Sequence, residues 1–436
     1  MVNPHSSMAA ILFKNIRLLH PGQGLDRRAD ILIAGGIIER IGENIEAPEG
    51  ADIRDGSAWV AAPGFFDMHV HLREPGATHK ENIRSGCASA ANGGFTGVCC
   101  MPNTTPATDS AEVVHSILWR AQGLPVDVLP SAATTKGRKG EQLAPMGELY
   151  EAGVRLFTDD GDCVESAEVM RRAFEYASMF EGAVISQHCE DHSMTRGFAM
   201  NEGATSTRLG LPGYPDIAEN LIIARDIMVA GFCGDRPYHV SHMSTRGGVE
   251  LVRQAKAQGR ANVTCEVTPH HFVLTDEAVE KYGTNAKMNP PLRTQSDVDA
   301  VLDGFRDGTI DVIATDHAPH ALSEKEVEFP AAPNGIIGLE TSIGLSYTCL
   351  VEPGIISLER MVELMAINPR RILSQPVPVI AEGEQANLTI FAPEEEWTVD
   401  TSRFKTMSLN TPFNGWKLRG RPVGIINRGQ VVWSEL

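Results

Sequence analysis

The chain has 436 residues, 42% hydrophobic and 22% charged, the balance of a soluble globular protein large enough for one big domain with an accessory, or for two ordinary domains. No apolar run approaches the roughly 20 residues that cross a bilayer, and a formal charge of −18 repels nucleic acid and anionic lipid. Membrane and nucleic acid are therefore set aside as partners, and eight cysteines without a CxxC pair, at positions 87, 99, 100, 163, 189, 233, 265 and 349, fit a cytoplasmic thiol inventory.

In chain order, the first sixty residues alternate short apolar runs with turns, as in "ILFKNIRLL" and "ADILIAGGIIERIG", which is strand patterning. The same texture returns after "RRILSQP", in "GEQANLTIFAP", "RPVGIINRG" and "VVWSEL". Between them the chain repeats strand, loop and helix. Eight strands are expected: "GFFDMHVHL", "GFTGVCCMPN", "VDVLPSAAT", "GVRLFTDDG", "GAVISQHCED", "PYHVSHMS", "NVTCEVTPHH" and "IDVIATDHAPH", most of them separated by amphipathic segments such as "SAEVMRRAFEYASMF". The expected fold class is α/β. A TIM-type (β/α)8 barrel would span residues 61–373, and a small β-sandwich domain would be formed by both chain termini, residues 1–60 and 374–436. In such a barrel the chemistry sits at the C-terminal strand ends.

The unusual polar residues collect there. Successive side chains of a strand face opposite ways, so His69, His71 and Arg73 share one side of the first strand. The fifth strand puts His188 in parity with Val184 and Ser186, and the sixth ends at His242; His239, three earlier, faces the other way in an unbroken strand and reads as structural. In the eighth, Asp316 is in parity with Val312 and Ala314, His317 points outward and His320 lies in the following loop. A carboxylate closing an apolar strand is costly unless paired or metal-bound. The fourth strand ends in "TDDG", where Asp159 or Asp160 is a candidate bridging ligand, the second lying nearer the strand end. Such a nitrogen and oxygen set suits zinc and leaves positions open for water, whose pKa the metal lowers towards 7. Asp316 is placed to take and return the proton.

The run "DMHVHLREPG", followed in order by "MPNTTP", "FTDDG", "QHCED", "HVSHMST", "EVTPHH", "KMNPPLR", "ATDHAPH" and "PNGIIGLE", resembles the class I bacterial dihydroorotases of the amidohydrolase superfamily over essentially the whole chain. The resemblance implies zinc-dependent, reversible cyclisation of N-carbamoyl-L-aspartate to L-dihydroorotate and water, a step of pyrimidine biosynthesis. It assigns His69 and His71 to a first zinc, His188 and His242 to a second, and Asp160 to the bridge. Asp316 becomes both first-zinc ligand and general acid/base. Arg73, Asn103 and His320 would hold the substrate carboxylate, His71 would also touch the substrate, and Asn289, Asn334 and Gly335 would contact the ring. One or two zincs per chain are implied.

The fourth strand, "GVRLFTDD", has no lysine, whereas many amidohydrolases bridge their metals with a carboxylated lysine; the class I enzymes use aspartate. Two alternatives stand beside this reading. Hydantoinase or allantoinase would share HxH and the final aspartate, but their substrates lack the carboxylate that Arg73 and Asn103 would bind. A non-catalytic homologue acting as structural partner of aspartate transcarbamoylase would be expected to lack metal ligands. A homodimer is the expected assembly, and association with that transcarbamoylase is open.

Overall fold

The computed structural model describes residues 10–260 and 262–436; residues 1–9 of the expected N-terminal β segment lie outside the described residues. Both ends of the described chain enter one eight-stranded sheet. Val60–Pro63 joins them, pairing parallel with Ile11–His20 and antiparallel with Leu388–Ala392. Moving outward from Ile11–His20, the order is Val60–Pro63, Leu388–Ala392, Arg421–Asn427 and Gln430–Trp433. A flat sheet would hold the first and last of these on the order of 19 Å apart. Instead the rings of Phe13 and Trp433 lie 6.1 Å apart, so the sheet curls over a core that includes Phe13, Ile16, Ile31, Leu388 and Ile390.

The centre holds eight parallel strands, all in the segments expected: β1 (Phe65–Val70), β2 (Phe95–Cys100), β3 (Asp127–Pro130), β4 (Leu156–Phe157), β5 (Val184–Gln187), β6 (Tyr238–Val240), β7 (Val263–Val267) and β8 (Val312–Ile313). β1 to β3 form one ladder and β4 to β8 another. Single parallel bridges connect them at both margins, Ala132 to Phe157 and Val70 to His317. Strands apolar on both faces need cover on both sides. Phe66, Met68, Cys99, Leu156, Val184, Val312 and Ala314 pack together on one face, while Val70, Cys100, Ile185, Val240, Cys265 and Ile313 pack on the other against helix residues such as Ala90, Phe174, Ile223 and Val252.

Helix starts follow local chemistry. Asn82 accepts from Ser85 N and Ser85 returns the bond at Ile83–Asn92, while Ser166 and Thr245 cap Ala167–Ala177 and Arg246–Ala257. No helix among the described residues is long and apolar enough to cross a membrane.

Two strands break the simple alternation. Between Asp67 and Val70, β1 carries an extra residue relative to β2. This bulge lets Met68 pack with the inner apolar group while His69, next in sequence, also turns toward the other histidines. Asp67 fixes the bend by accepting from His69 N at 3.0 Å and from Thr315 N at 3.2 Å. In β6 the ladder ends at Val240 and His242 takes φ 30°, so the parity that set His239 aside does not continue to His242.

Candidate active site

The cleft lies at the C-terminal ends of the strands and has a volume of about 200 Å³. Arg73, His242 and Asp316, which line it, have φ of 58°, 30° and 47°. Non-glycine residues in the left-handed region are strained, and such strain persists only where surrounding contacts over-determine it. Three in one cleft mark a place where orientation outweighs local stability.

At one end, two triads converge: His69, His71 and Asp160, and Asp160, His188 and His242, with the ligand-type atoms of each triad within 4.8 Å of one another. Their tautomers can be read from their outer partners. His69 Nδ1 lies 2.5 Å from Glu266 Oε1, His71 Nδ1 2.8 Å from Asn103 Oδ1 and His188 Nε2 2.9 Å from Glu190 Oε2. Each partner oxygen only accepts, so each outer nitrogen donates its proton and the inner nitrogen keeps a lone pair. Two of those lone pairs face carboxylate oxygens, and the third faces an imidazole nitrogen that can donate or accept. His71 Nε2 is 2.9 Å from Asp316 Oδ1, His69 Nε2 is 3.3 Å from Asp160 Oδ1 and 3.6 Å from Asp316 Oδ1, and His188 Nδ1 is 3.0 Å from His242 Nε2. His69 Nε2 and Asp160 Oδ1 are buried with no hydrogen-bond partner. Lone pairs opposed at such distances require positive charge between them, which fits a metal ion.

The electrostatics favour positive charge at the same place, whether it arrives as a proton or as a metal ion. Burial pulls the His69 imidazole down, but Asp160 and Glu266 outweigh it and hold it well above its ordinary value; Asp160 is held well below the usual carboxylate range by His69 and His242 despite burial. Burial raises the Glu190 carboxyl, yet His188, Thr195 and Asn289 bring it to about 2. Burial lifts Asp67 to about 7.

The opposite end is cationic. Burial lowers the Arg73 guanidinium to about 10, and no carboxylate among the described residues lies within ion-pair distance of it. Its Nε donates to Pro319 O at 3.2 Å, a neutral partner. Asn289 Nδ2 donates to Glu190 at 2.8 Å while its Oδ1, like that of Asn334, is buried without a partner. The backbone carbonyl of Asn334 lies 2.8 Å from His320 Nε2, and Gly335 N donates to Lys287 O at 2.9 Å.

The cleft brings together the candidates His71, Arg73, Asn103, Asp160, His188, His242, Asn289, Asp316, His320, Asn334 and Gly335, with Gly161 and Ala318 beside them; His69 lies just beneath, 1% exposed. Asp159 turns away, accepting from Thr135 N at 2.9 Å, which leaves Asp160 between the histidines. His239 is occupied elsewhere, with Nδ1 at 2.8 Å from Thr264 Oγ1 and Nε2 at 3.3 Å from Glu266. Sequence reasoning passed over Glu266, Glu190 and Asp67. The signal was available, since each is a carboxylate at or in an apolar strand, as Asp316 is.

Parallel strands carrying two imidazole–carboxylate clusters at their C-terminal ends define a hydrolase of the amidohydrolase type. A family profile described as "Dihydro-orotase-like" matches residues 59–248. A relative named "Dihydroorotase" from Citrifermentans bemidjiense is 49% identical over 425 residues, covering 97% of this chain and 99% of its own; one from Syntrophus aciditrophicus is 46% identical over 427 residues, covering 98% and 99%. The chain belongs to the dihydroorotase family. Among solved structures, L-hydantoinase from Arthrobacter aurescens superposes with TM-score 0.83 at 26% identity, covering 98% of this chain and 96% of that one. Dihydropyrimidinase from Brevibacillus agri shares the fold, with TM-score 0.82 at 21% identity, covering 98% and 95%.

Proposed function

We propose that this enzyme catalyses the reversible cyclisation of N-carbamoyl-L-aspartate to L-dihydroorotate and water in pyrimidine biosynthesis. The observation that carries the reading is Arg73, a half-buried guanidinium in the cleft with no carboxylate of the described residues within ion-pair distance. Partial removal from water without a counter-charge is costly, and a ligand carboxylate held by its planar fork would offset that cost.

Zinc is the metal that the mixed imidazole and carboxylate set favours. His69, His71 and Asp316 would hold one ion, His188 and His242 a second, with Asp160 between them. Zinc bound there supplies a Lewis acid that polarises the ring amide and acidifies water.

The remaining work falls to the chain. Arg73, Asn103 Nδ2 and the Nε2–H of His320 meet the substrate carboxylate. The unpartnered Oδ1 atoms of Asn289 and Asn334 are acceptors suited to the two ring N–H groups of dihydroorotate. In the hydrolytic direction, the oxygen of water adds to the ring amide carbon and the carbon–nitrogen bond breaks. Asp316 takes the water proton and delivers it to the departing nitrogen; ring closure reverses each transfer. Glu266 and Glu190 keep the imidazoles in the required tautomers.

The architecture belongs to the same proposal. The ladders and two bridges are consistent with a (β/α)8 barrel that begins at Phe65 rather than at residue 61, since Val60–Pro63 runs in the curled terminal sheet, and that sheet is consistent with a β-sandwich drawn from both ends of the chain, expected at 1–60 and 374–436.

The test is turnover of N-carbamoyl-L-aspartate and of dihydroorotate by purified protein with zinc content measured on the same sample. Turnover of both is expected; none in either direction with zinc loaded would sink the assignment. Hydantoin and allantoin, measured alongside, should be poor substrates because neither brings a carboxylate to Arg73.

A further inference from the structure

The carboxylate end contains a hydrogen-bond conflict whose resolution gives His320 and Lys80 distinct roles. His320 is 6% exposed, and three groups approach its ring nitrogens. Asn334 O is 2.8 Å from Nε2, an Arg73 terminal nitrogen is 3.3 Å from the same Nε2, and Lys80 Nζ is 3.3 Å from Nδ1. A carbonyl only accepts and an ammonium only donates, so Nε2 carries the proton and Nδ1 carries the lone pair. Arg73 cannot then donate to Nε2, and its outer edge stays free.

The alternative tautomer has no support around it. An Nδ1–H would face the Lys80 ammonium, and the nearest carboxylate, Glu324, is 3.8 Å away, beyond hydrogen-bond reach. Glu324 instead pairs with Lys80 at 2.9 Å, while Lys80 O accepts from Ser408 Oγ at 2.8 Å, so the lysine is held from both sides. Burial, with Arg73, Lys325 and Lys80 nearby, brings the His320 imidazolium down to about 2, and the ring is neutral at working pH.

We propose that Lys80 and the Asn334 carbonyl lock His320 as the neutral Nε2–H tautomer, making Lys80 a positioning residue that acts through His320. With Nε2 protonated, His320 presents a donor at the cleft beside Arg73, the polarity a substrate carboxylate needs, and its bond to Asn334 O fixes the turn that carries Asn334. This rests on the cyclisation reading and deepens it by separating the groups that meet the carboxylate, Arg73, Asn103 and His320, from Lys80, which sets the polarity of one of them.

The test is nitrogen NMR of the zinc-loaded, full-length enzyme labelled with ¹⁵N-histidine, without substrate, the His320 signal being assigned by its loss in His320→Gln. Protonated Nε2 and unprotonated Nδ1 are expected at neutral pH. In Lys80→Met the tautomer ratio should shift, and the KM for N-carbamoyl-L-aspartate should rise about tenfold, as for loss of a charged hydrogen bond, with kcat and zinc content little changed. Lys80→Arg should restore both tautomer and KM. A wild-type His320 protonated on Nδ1 would overturn the proposal, as would a Lys80→Met enzyme that keeps both the wild-type tautomer and KM. The NMR result is independent of turnover and of whether Lys80→Met folds, so failure of the cyclisation reading would leave it standing.

Discussion

The two ends of the cleft are built on opposite electrostatic plans. At the histidine end Asp160, Asp316, Glu266 and Glu190 crowd around His69, His71, His188 and His242, and nitrogen lone pairs are turned inward by their outer partners. At the other end Arg73, Lys80, Lys287 and Lys325 gather with Glu324 as the carboxylate paired to Lys80. One end is completed by cations and the other by an anion. A ligand that spans them must present an electrophilic carbon to the first and a carboxylate to the second, and this division of labour is what distinguishes the site from that of a cyclic amidase acting on a neutral ring.

The largest effect should come from the histidine end. Asp316→Asn keeps shape and an oxygen while removing the proton acceptor, so turnover should fall by about 10²–10⁴-fold with zinc largely retained. Substantial residual turnover in the metal-loaded variant would remove Asp316 as proton shuttle. The next should come from the other end and appear in a different constant. Arg73→Met should raise the KM for N-carbamoyl-L-aspartate about 100-fold with a smaller change in kcat, and hydantoin hydrolysis, however slow, should be insensitive to it. Equal losses on both substrates would show that Arg73 supports the fold of the cleft and not the carboxylate, and the contrast between the two ends would collapse.

Much of this contrast was legible in the sequence, because its signals are local. The eight strands follow from apolar runs separated by helical patterning, and His188 and Asp316 follow from strand parity, since Val184 and Val312 pack on the inner face below them, whereas Asp159 and Asp160 stayed open alternatives at that level. Parity failed where the backbone departs from a strand. In β1, simple alternation would place Asp67 beside His69 on the inner face, yet Met68 packs there because of the bulge; in β6, His242 reaches the site through a left-handed turn that no periodicity encodes. Glu266 and Glu190 were passed over for another reason. Their function depends on which nitrogen of a distant histidine they meet, a tertiary fact, although their cost as buried carboxylates was already readable. The cations behind Arg73 come from three separate loops, so no spacing connects them.

The smallest effect probes those loops. Lys325 is 3% exposed, and its ammonium donates to Thr284 O at 3.0 Å and Pro333 O at 2.8 Å, while Lys287 donates to Pro330 O at 2.9 Å and Ala332 O at 2.6 Å. Together they pin the turn that carries Asn334 and Gly335. Burial first, then Lys287 and Arg73, lower Lys325 to about 7 from an ordinary 10.5. The unfolded chain therefore binds more protons than the folded one between those values, so this group makes stability rise with pH across that window and contributes no further change below about 7, where both states are protonated. Between pH 7.5 and 9 the gain attributable to this one group should be about 1–2 kcal/mol. Urea unfolding of wild type and Lys325→Met at both pH values isolates it as the difference of two slopes: wild type should gain stability relative to the variant as pH rises. A parallel pair of curves would mean that Lys325 keeps its charge when folded, and that the loop carbonyls compensate a buried ammonium more fully than its surroundings suggest.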